Sequence, residues 1–213
     1  MDPFQLQQFK KGALYAFILA VIIFLAVLYF GKIATFLWLN NNMGIVGDNF
    51  FYFCTVSGNG AMWVVLLLFT ILILGRTDAW PLLAASCFFS TLFTQISKHL
   101  IAPGAPRPWS LITDHSLFHH VSFVDPLSSY SFPSGHTATA FCIYLILCLL
   151  VKQKWWVFTG FIVAALIGYS RVYLAQHFPV DVGGGIIIAI LSVAVSLPFQ
   201  KLWTKKLNKR MMN

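Results

Sequence analysis

The sequence predicts an all-α integral membrane protein, a six-helix bundle with both termini cytoplasmic, and three observations predict it. Of 213 residues, 59% are hydrophobic and 9% charged, with a mean hydropathy of +0.79, which leaves too little polar surface for a water-facing domain. The apolar residues fall into six runs of roughly twenty, the length that about 30 Å of hydrocarbon requires. With the N-terminus inside, 10 of the 14 Lys and Arg fall on the cytoplasmic side, as the positive-inside rule expects.

The first run, Ala13 to Phe30, follows Lys10-Lys11 and reads as a retained span, because it is long and no small-residue cleavage site follows it. Asn40-Asn41-Asn42 breaks the chain before the second run, Phe51 to Gly75. Arg76-Thr77-Asp78 separates that run from the third, Trp80 to Ser97. A long outer loop, about 101–132, leads to the fourth, Ser134 to Val151. Lys152-Gln153-Lys154 turns the chain into the fifth, Trp155 to Leu174, and Gln176-His177-Phe178 precedes the sixth, Pro179 to Gln200. No repeat or composition shift divides residues 1–213, which read as one transmembrane domain. The 21 Phe, 7 Trp and 7 Tyr suit lipid-facing and interfacial positions.

The net charge of +8 is mostly topogenic. The basic tail Lys201 to Arg210 suits anionic headgroups, and nucleic-acid binding explains the charge less well. Cys54, Cys87, Cys142 and Cys148 match no metal or disulfide framework.

All six His fall on the outer side with Lys32, Lys98, Arg107 and Arg171. Three clusters carry the polar residues there. "KHLIAPGAPRP" holds Lys98 and Arg107; Pro133-Ser134-Gly135-His136 opens the fourth run; "SRVYLAQHFPVD" holds Ser170-Arg171, His177 and Asp181. A helix starting at Ser134 or Gly135 presents unpaired N–H groups and the positive end of its dipole to an anion. Lys98, Arg107 and Arg171 add cations, and an arginine fork can hold two oxygens of a phosphate at once.

His177 and Asp181 stand four apart around Pro179, so the carboxylate can orient one imidazole nitrogen and leave the other nucleophilic. His136 remains for proton transfer. The set suits metal-free phosphoryl transfer through a phosphohistidine. Each member alone has an ordinary explanation as a helix start, an interfacial anchor or a solvated charge; their order on one face points to a site. His115, His119 and His120 carry no further ligand pattern and are assigned to an interfacial loop, while His99 could stand in for Lys98.

At these residues the sequence resembles the type 2 phosphatidic acid phosphatases, whose pattern is K-x6-RP, then PSGH, then SR-x5-H-x3-D. Pro133 to His136 match the second element, and Ser170, Arg171, His177 and Asp181 the third with its spacing intact. The first departs: eight residues separate Lys98 from Arg107, and Leu100 stands where the family spacing places lysine. "APGAP" favours a turn that absorbs the extra length, so that Lys98 and Arg107 still converge.

The resemblance covers the motif region 98–181. It implies that His177 attacks phosphorus, that His136 protonates the leaving oxygen, and that Lys98, Arg107, Arg171 and the Ser134-Gly135 backbone hold the phosphoryl oxygens, with no metal and no other cofactor. Six spans with an outer site are also the family's architecture. A site at headgroup depth favours a lipid phosphate or pyrophosphate: polyprenyl pyrophosphate, phosphatidylglycerophosphate, phosphatidate or lipid A phosphate. The short loops suggest a bacterial inner membrane with the site periplasmic or extracellular. A lipid phosphotransferase using the same phosphohistidine is the alternative, ahead of a non-enzymatic transporter. Oligomeric state is not legible.

Overall fold

The computed structural model describes residues 2–211, with side chains through residue 206, so Lys209 and Arg210 of the basic tail lie outside the described side chains. The described residues are helical without strands: α1 Pro3–Phe30, α2 Lys32–Leu39, α3 Gly44–Val56, α4 Met62–Leu72, α5 Trp80–Ile96, α6 Pro108–Leu111, α7 Gly135–Leu150, α8 Trp156–Tyr173 and α9 Pro179–Met211. Four helical stretches are long and apolar enough to cross a membrane, Pro3–Phe30, Thr77–Ile101, Trp156–Tyr173 and Pro179–Lys206, and two apolar helices are shorter, Met62–Leu72 and Gly135–Leu150. This is a helical membrane protein.

Where the helices differ from the expected runs, local chemistry accounts for it. α1 starts ten residues before Ala13 because Asp2 caps it: its carboxylate accepts from Phe4 N, Gln5 closes the capping box, and Pro3 occupies the first turn. The run Phe51 to Gly75 is interrupted between α3 and α4, where Ser57-Gly58-Asn59-Gly60 forms a turn. α2 was not anticipated, since eight residues between Gly31 and Asn40 are too few for a periodic signal.

α7 is the central helix, buried along most of its length, and it touches α1, α5, α8 and α9. Such all-round burial fits an apolar helix with no polar face. At one end, Gln8 Nε2 donates to Val151 O (3.1 Å), and Gln200 accepts from Leu82 N (3.3 Å) and donates to Asp78 O (2.9 Å). At the opposite end, Asn40 Nδ2 donates to Val172 O and Tyr173 O (2.9 and 2.8 Å), satisfying carbonyls where α8 finishes. Side-chain amides therefore tie both ends, as buried backbone groups away from water require.

α9 packs closely against the entry to α7 at Gly184-Gly185. A methyl group on Gly185 would meet Ser134 O at 2.6 Å, and one on Gly184 would meet the Phe132 ring at 2.5 Å. Only hydrogen fits there, so α9 lies directly against the chain entering α7. Gly185→Ala should therefore cost about 1–3 kcal/mol of stability through overpacking against backbone, read as a lowered unfolding midpoint in detergent, whereas Gly60→Ala, which meets open space, should stay near the wild type.

Candidate active site

The end opposite the chain's start gathers residues from five segments. His177 lies in the link between α8 and α9, with 2% of its surface exposed, and Asp181 in the first turn of α9 is fully buried. The link is tight because Gln176 N and His177 N both donate to Arg171 O (2.9 and 3.0 Å). Asp181 Oδ2 accepts from Phe178 N (2.9 Å) and from Ser131 Oγ (2.5 Å), and lies 3.4 Å from His177 Nδ1. That last contact has ion-pair reach but not hydrogen-bond alignment, and His177 Nδ1 has no other partner.

Arg107 reaches the same histidine from the long loop. Its Nη1 donates to Gln176 O (2.8 Å) and lies 3.2 Å from His177 Nε2, while Nε donates to Ser129 O (2.8 Å). A guanidinium has no acceptor. The Nε2 it addresses must therefore carry the lone pair, which puts the imidazole proton on Nδ1, towards Asp181. Burial, together with Arg107, pushes the His177 pKa down to about 3 while Asp181 acts in the opposite sense, so the ring is neutral at physiological pH.

Arg171 is 6% exposed at the end of α8. Its Nη1 donates to Thr55 Oγ1 of α3, and its Nε is a buried donor without a partner. His136 stands half-buried in the first turn of α7, within electrostatic range of Arg171, His177, Arg107 and Lys98.

Lys98 sits on a π-helical turn, Ser97–Ile101, that ends α5. Such a turn accommodates extra residues in a helix and changes which side chains face inward. Leu100 is 76% exposed, whereas Lys98 Nζ donates to Tyr130 O (2.8 Å), the carbonyl that Arg107 Nη2 also approaches (3.5 Å). The remaining length closes through Ala105 N to Ala102 O (3.2 Å) and a left-handed Gly104. Lys98 and Arg107 thus converge despite their spacing. His99 is exposed and lies against the Tyr130 ring, 5.0 Å between centroids.

The structure narrows one expectation. Ser134 N donates to Asp181 O (2.9 Å), and Ser134 Oγ caps α7 by accepting from Thr137 N (3.3 Å) and Thr137 Oγ1 (2.9 Å). The Ser134 N–H is therefore engaged, and the first-turn N–H groups of Gly135 and His136 are the ones geometry leaves to an anion. Two partners had escaped sequence reasoning, Ser131 and Thr55. They lie 50 and 116 residues from the side chains they bond, and no spacing could have announced them.

The loop histidines stand apart. His115 stacks on Trp109 (3.8 Å) and His120 lies edge-on to it (5.2 Å), whereas His119 Nε2 is 2.8 Å from Asp48 Oδ1, which also accepts from Tyr173 OH (2.7 Å).

A neutral imidazole beside a carboxylate, with a second histidine at the start of α7, two buried arginines and a lysine from the end of α5, is an arrangement whose charge suits a tetrahedral oxyanion. The sequence matches the PAP2 superfamily over residues 78–205, more than half of the chain, and the protein belongs to that family. A phosphatidylglycerophosphatase B of Bacillus subtilis is 38% identical over 74 residues, covering 30% of this chain and 36% of that protein. An undecaprenyl-diphosphatase of Sulfolobus acidocaldarius is 26% identical over 168 residues, 77% of this chain and 78% of its own. The chain thus spans about a third of the first relative and more than three quarters of the second. The crystal structure of Aquifex aeolicus LpxE superposes with a TM-score of 0.65 at 31% identity, over 78% of this chain and 94% of that one.

Two outcomes follow from this geometry. The His177 pKa is depressed below its free value of about 6.5, so its burial costs no stability above that pH and progressively more as pH falls towards about 3. Unfolding midpoints of the wild type should drop over that window more steeply than those of His177→Gln. Lys98→Ala should lose about 2–4 kcal/mol of transition-state stabilisation in kcat/KM on a phosphate-ester substrate, while His99→Ala should remain near the wild-type value.

Proposed function

We propose that the protein is a membrane phosphatase that hydrolyses a lipid phosphate or pyrophosphate through a phosphohistidine on His177. The observation that carries this is the placing of the buried His177 ring, with Arg107 Nη1 3.2 Å from Nε2 and Asp181 Oδ2 3.4 Å from Nδ1. Family membership and the names of the relatives, a phosphatidylglycerophosphatase and an undecaprenyl-diphosphatase, support the same class. Polyprenyl pyrophosphate, phosphatidylglycerophosphate, phosphatidate and lipid A phosphate are the candidate substrates.

In the first step Nε2 attacks phosphorus, the bond from phosphorus to the leaving oxygen breaks, and His136, in its imidazolium form, gives that oxygen a proton and becomes neutral. Asp181 holds the Nδ1 proton and stabilises the charge that grows on the ring. Arg107 transfers its Nη1 donor from the imidazole to a phosphoryl oxygen. Arg171 supplies the unpaired Nε, and Lys98 with the Gly135 and His136 N–H groups completes the cradle. Ser134 contributes by capping α7 rather than through its own N–H. In the second step His136 removes a proton from water, water attacks phosphorus, and inorganic phosphate leaves His177 free. The cationic side chains supply the charge stabilisation, so the scheme uses no metal and no other cofactor.

We further place six spans in the bilayer, the four long helices together with Met62–Leu72 and Gly135–Leu150. Both termini are then cytoplasmic, residues 1–213 form one domain, and the site faces the periplasm or exterior of a bacterial inner membrane. Lys and Arg concentrate at the end opposite the site, which supports this orientation. Phosphoryl transfer to a lipid acceptor would use the same groups and is separated from hydrolysis by phosphate release without an acceptor. Transport is disfavoured because the ionisable cluster lies at one end of the bundle.

A panel of lipid phosphates with the purified protein, scored for phosphate release, tests the class. Release should persist in EDTA and vanish in His177→Ala together with the phosphoenzyme; loss in EDTA restored by a divalent ion would contradict the scheme. His136→Ala should slow alkyl phosphates far more than aryl phosphates, whose leaving groups need no proton. In a variant lacking the native cysteines, a cysteine at Ser128 should react with an impermeant thiol reagent on intact cells and one at Gln153 should not.

A further inference from the structure

The end of the bundle away from the His177 cluster holds a cavity of about 400 Å³, between the start of α1 and the turn entering α8. Lys11 and Lys154 line it from these two segments, with Gln7 and Gln8 between them and Tyr15 and Phe158 forming part of its wall. None of its lining residues is acidic. The carboxylates at this end are engaged elsewhere, Asp2 capping α1 and Asp78 holding Arg76 through two bonds of 2.8 and 2.9 Å. Two cations, Lys154 with its Nζ 5.8 Å from the Phe4 ring centroid, therefore face a cavity with no counter-charge among the described residues.

Gln8 is 4% exposed, and its Nε2 is committed to Val151 O (3.1 Å), yet its Oε1 is buried without any donor. A buried acceptor left unpaired is costly and calls for a donor on whatever fills the space beside it. The site thus presents two cations for an anion and one acceptor for a hydroxyl. On its apolar side Phe158 is 61% and Tyr15 39% exposed, along the surfaces of α8 and α1 that carry exposed hydrophobic side chains towards the hydrocarbon.

We propose that this cavity is a binding site for the headgroup of an anionic glycerophospholipid whose headgroup carries free hydroxyls. The phosphodiester lies between Lys11 and Lys154, a headgroup hydroxyl donates to Gln8 Oε1, and the acyl chains run past Tyr15 and Phe158. Phosphatidylglycerol has this chemistry. The lipid joins α1 to α8 at the end remote from His177, and so acts as a structural ligand, not a substrate. The proposal rests on the membrane reading of the helices but not on the phosphatase reading.

The test is thermal unfolding of the delipidated full-length protein in neutral detergent, with added phosphatidylglycerol, phosphatidylcholine or inorganic phosphate, alongside native mass spectrometry of retained lipid. Near-saturating phosphatidylglycerol should raise the midpoint by on the order of 5 °C, equally in wild type and His177→Ala. Lys11→Gln/Lys154→Gln should abolish the shift and the retained lipid. Lys10→Gln/Lys152→Gln, which alters two neighbouring lysines outside the lining, should keep both. Either single variant, Lys11→Gln or Lys154→Gln, should lose at least half of the shift and serves if the double variant does not fold. An undiminished shift in the variants of Lys11 and Lys154, an equal shift with phosphatidylcholine, or an equal shift with inorganic phosphate would overturn the proposal. Because His177→Ala is expected to bind as the wild type does, loss of catalysis and loss of this site are read separately.

Discussion

Burying a carboxylate at the end of an apolar bundle is the constraint on which the rest of the structure turns. Asp181 is fully enclosed, and an ionised carboxylate there persists only if donors surround it. It obtains them on Oδ2, from Phe178 N in its own turn and from Ser131 Oγ on the approach to α7, while Oδ1 has no donor and the backbone carbonyl takes Ser134 N. The entry to α7 and the entry to α9 are thereby locked together, and Gly184 and Gly185 remove the bulk that would hold them apart. His177 stands where it does because the residue four positions on is held so firmly.

The arginines meet the same constraint in a different way. Arg107 spends its donors on carbonyls of two segments, Gln176 and Ser129, and on the imidazole. It holds the long loop against the link between α8 and α9. Arg171 caps nothing and pairs with no acid; it has Thr55 and an idle Nε. Cations this enclosed and so sparsely neutralised carry a desolvation cost, which an anion in the proposed site would offset.

The two ends of the bundle divide the labour. At the end that holds the His177 cluster the backbone is irregular, with the π-helical turn at Lys98, a left-handed Gly104 and the short helices of the loop, because several segments bring side chains to one point. The other end is tied by glutamines to backbone carbonyls and rimmed by lysines. α7 runs between them, enclosed by its neighbours, and its mid-span hydroxyl, Tyr144 OH, is satisfied by Val157 O (2.8 Å).

The sequence by itself determined that the chain is a helical membrane protein, because hydrophobic run length is a local, additive property that needs no contacts to be read. α7, α8 and the start of α9 fall within a residue or so of the expected runs for this reason. It also singled out His177, Asp181, His136, Arg107 and Arg171 as one candidate set, because their order and spacing stand in the chain, and the structure gathers them at one end of the bundle. The break between α3 and α4 lay in Ser57-Gly58-Asn59-Gly60 but was masked by the apolar run around it. Only the tertiary structure decided what depends on meeting across long separations: that Ser131 holds Asp181, that Thr55 holds Arg171, and that the N–H of Ser134 is already taken. It also decided the fate of Lys98. Its spacing from Arg107 is a linear distance, and a π-helical turn followed by a tight loop converts linear distance into position in a way that counting residues does not capture.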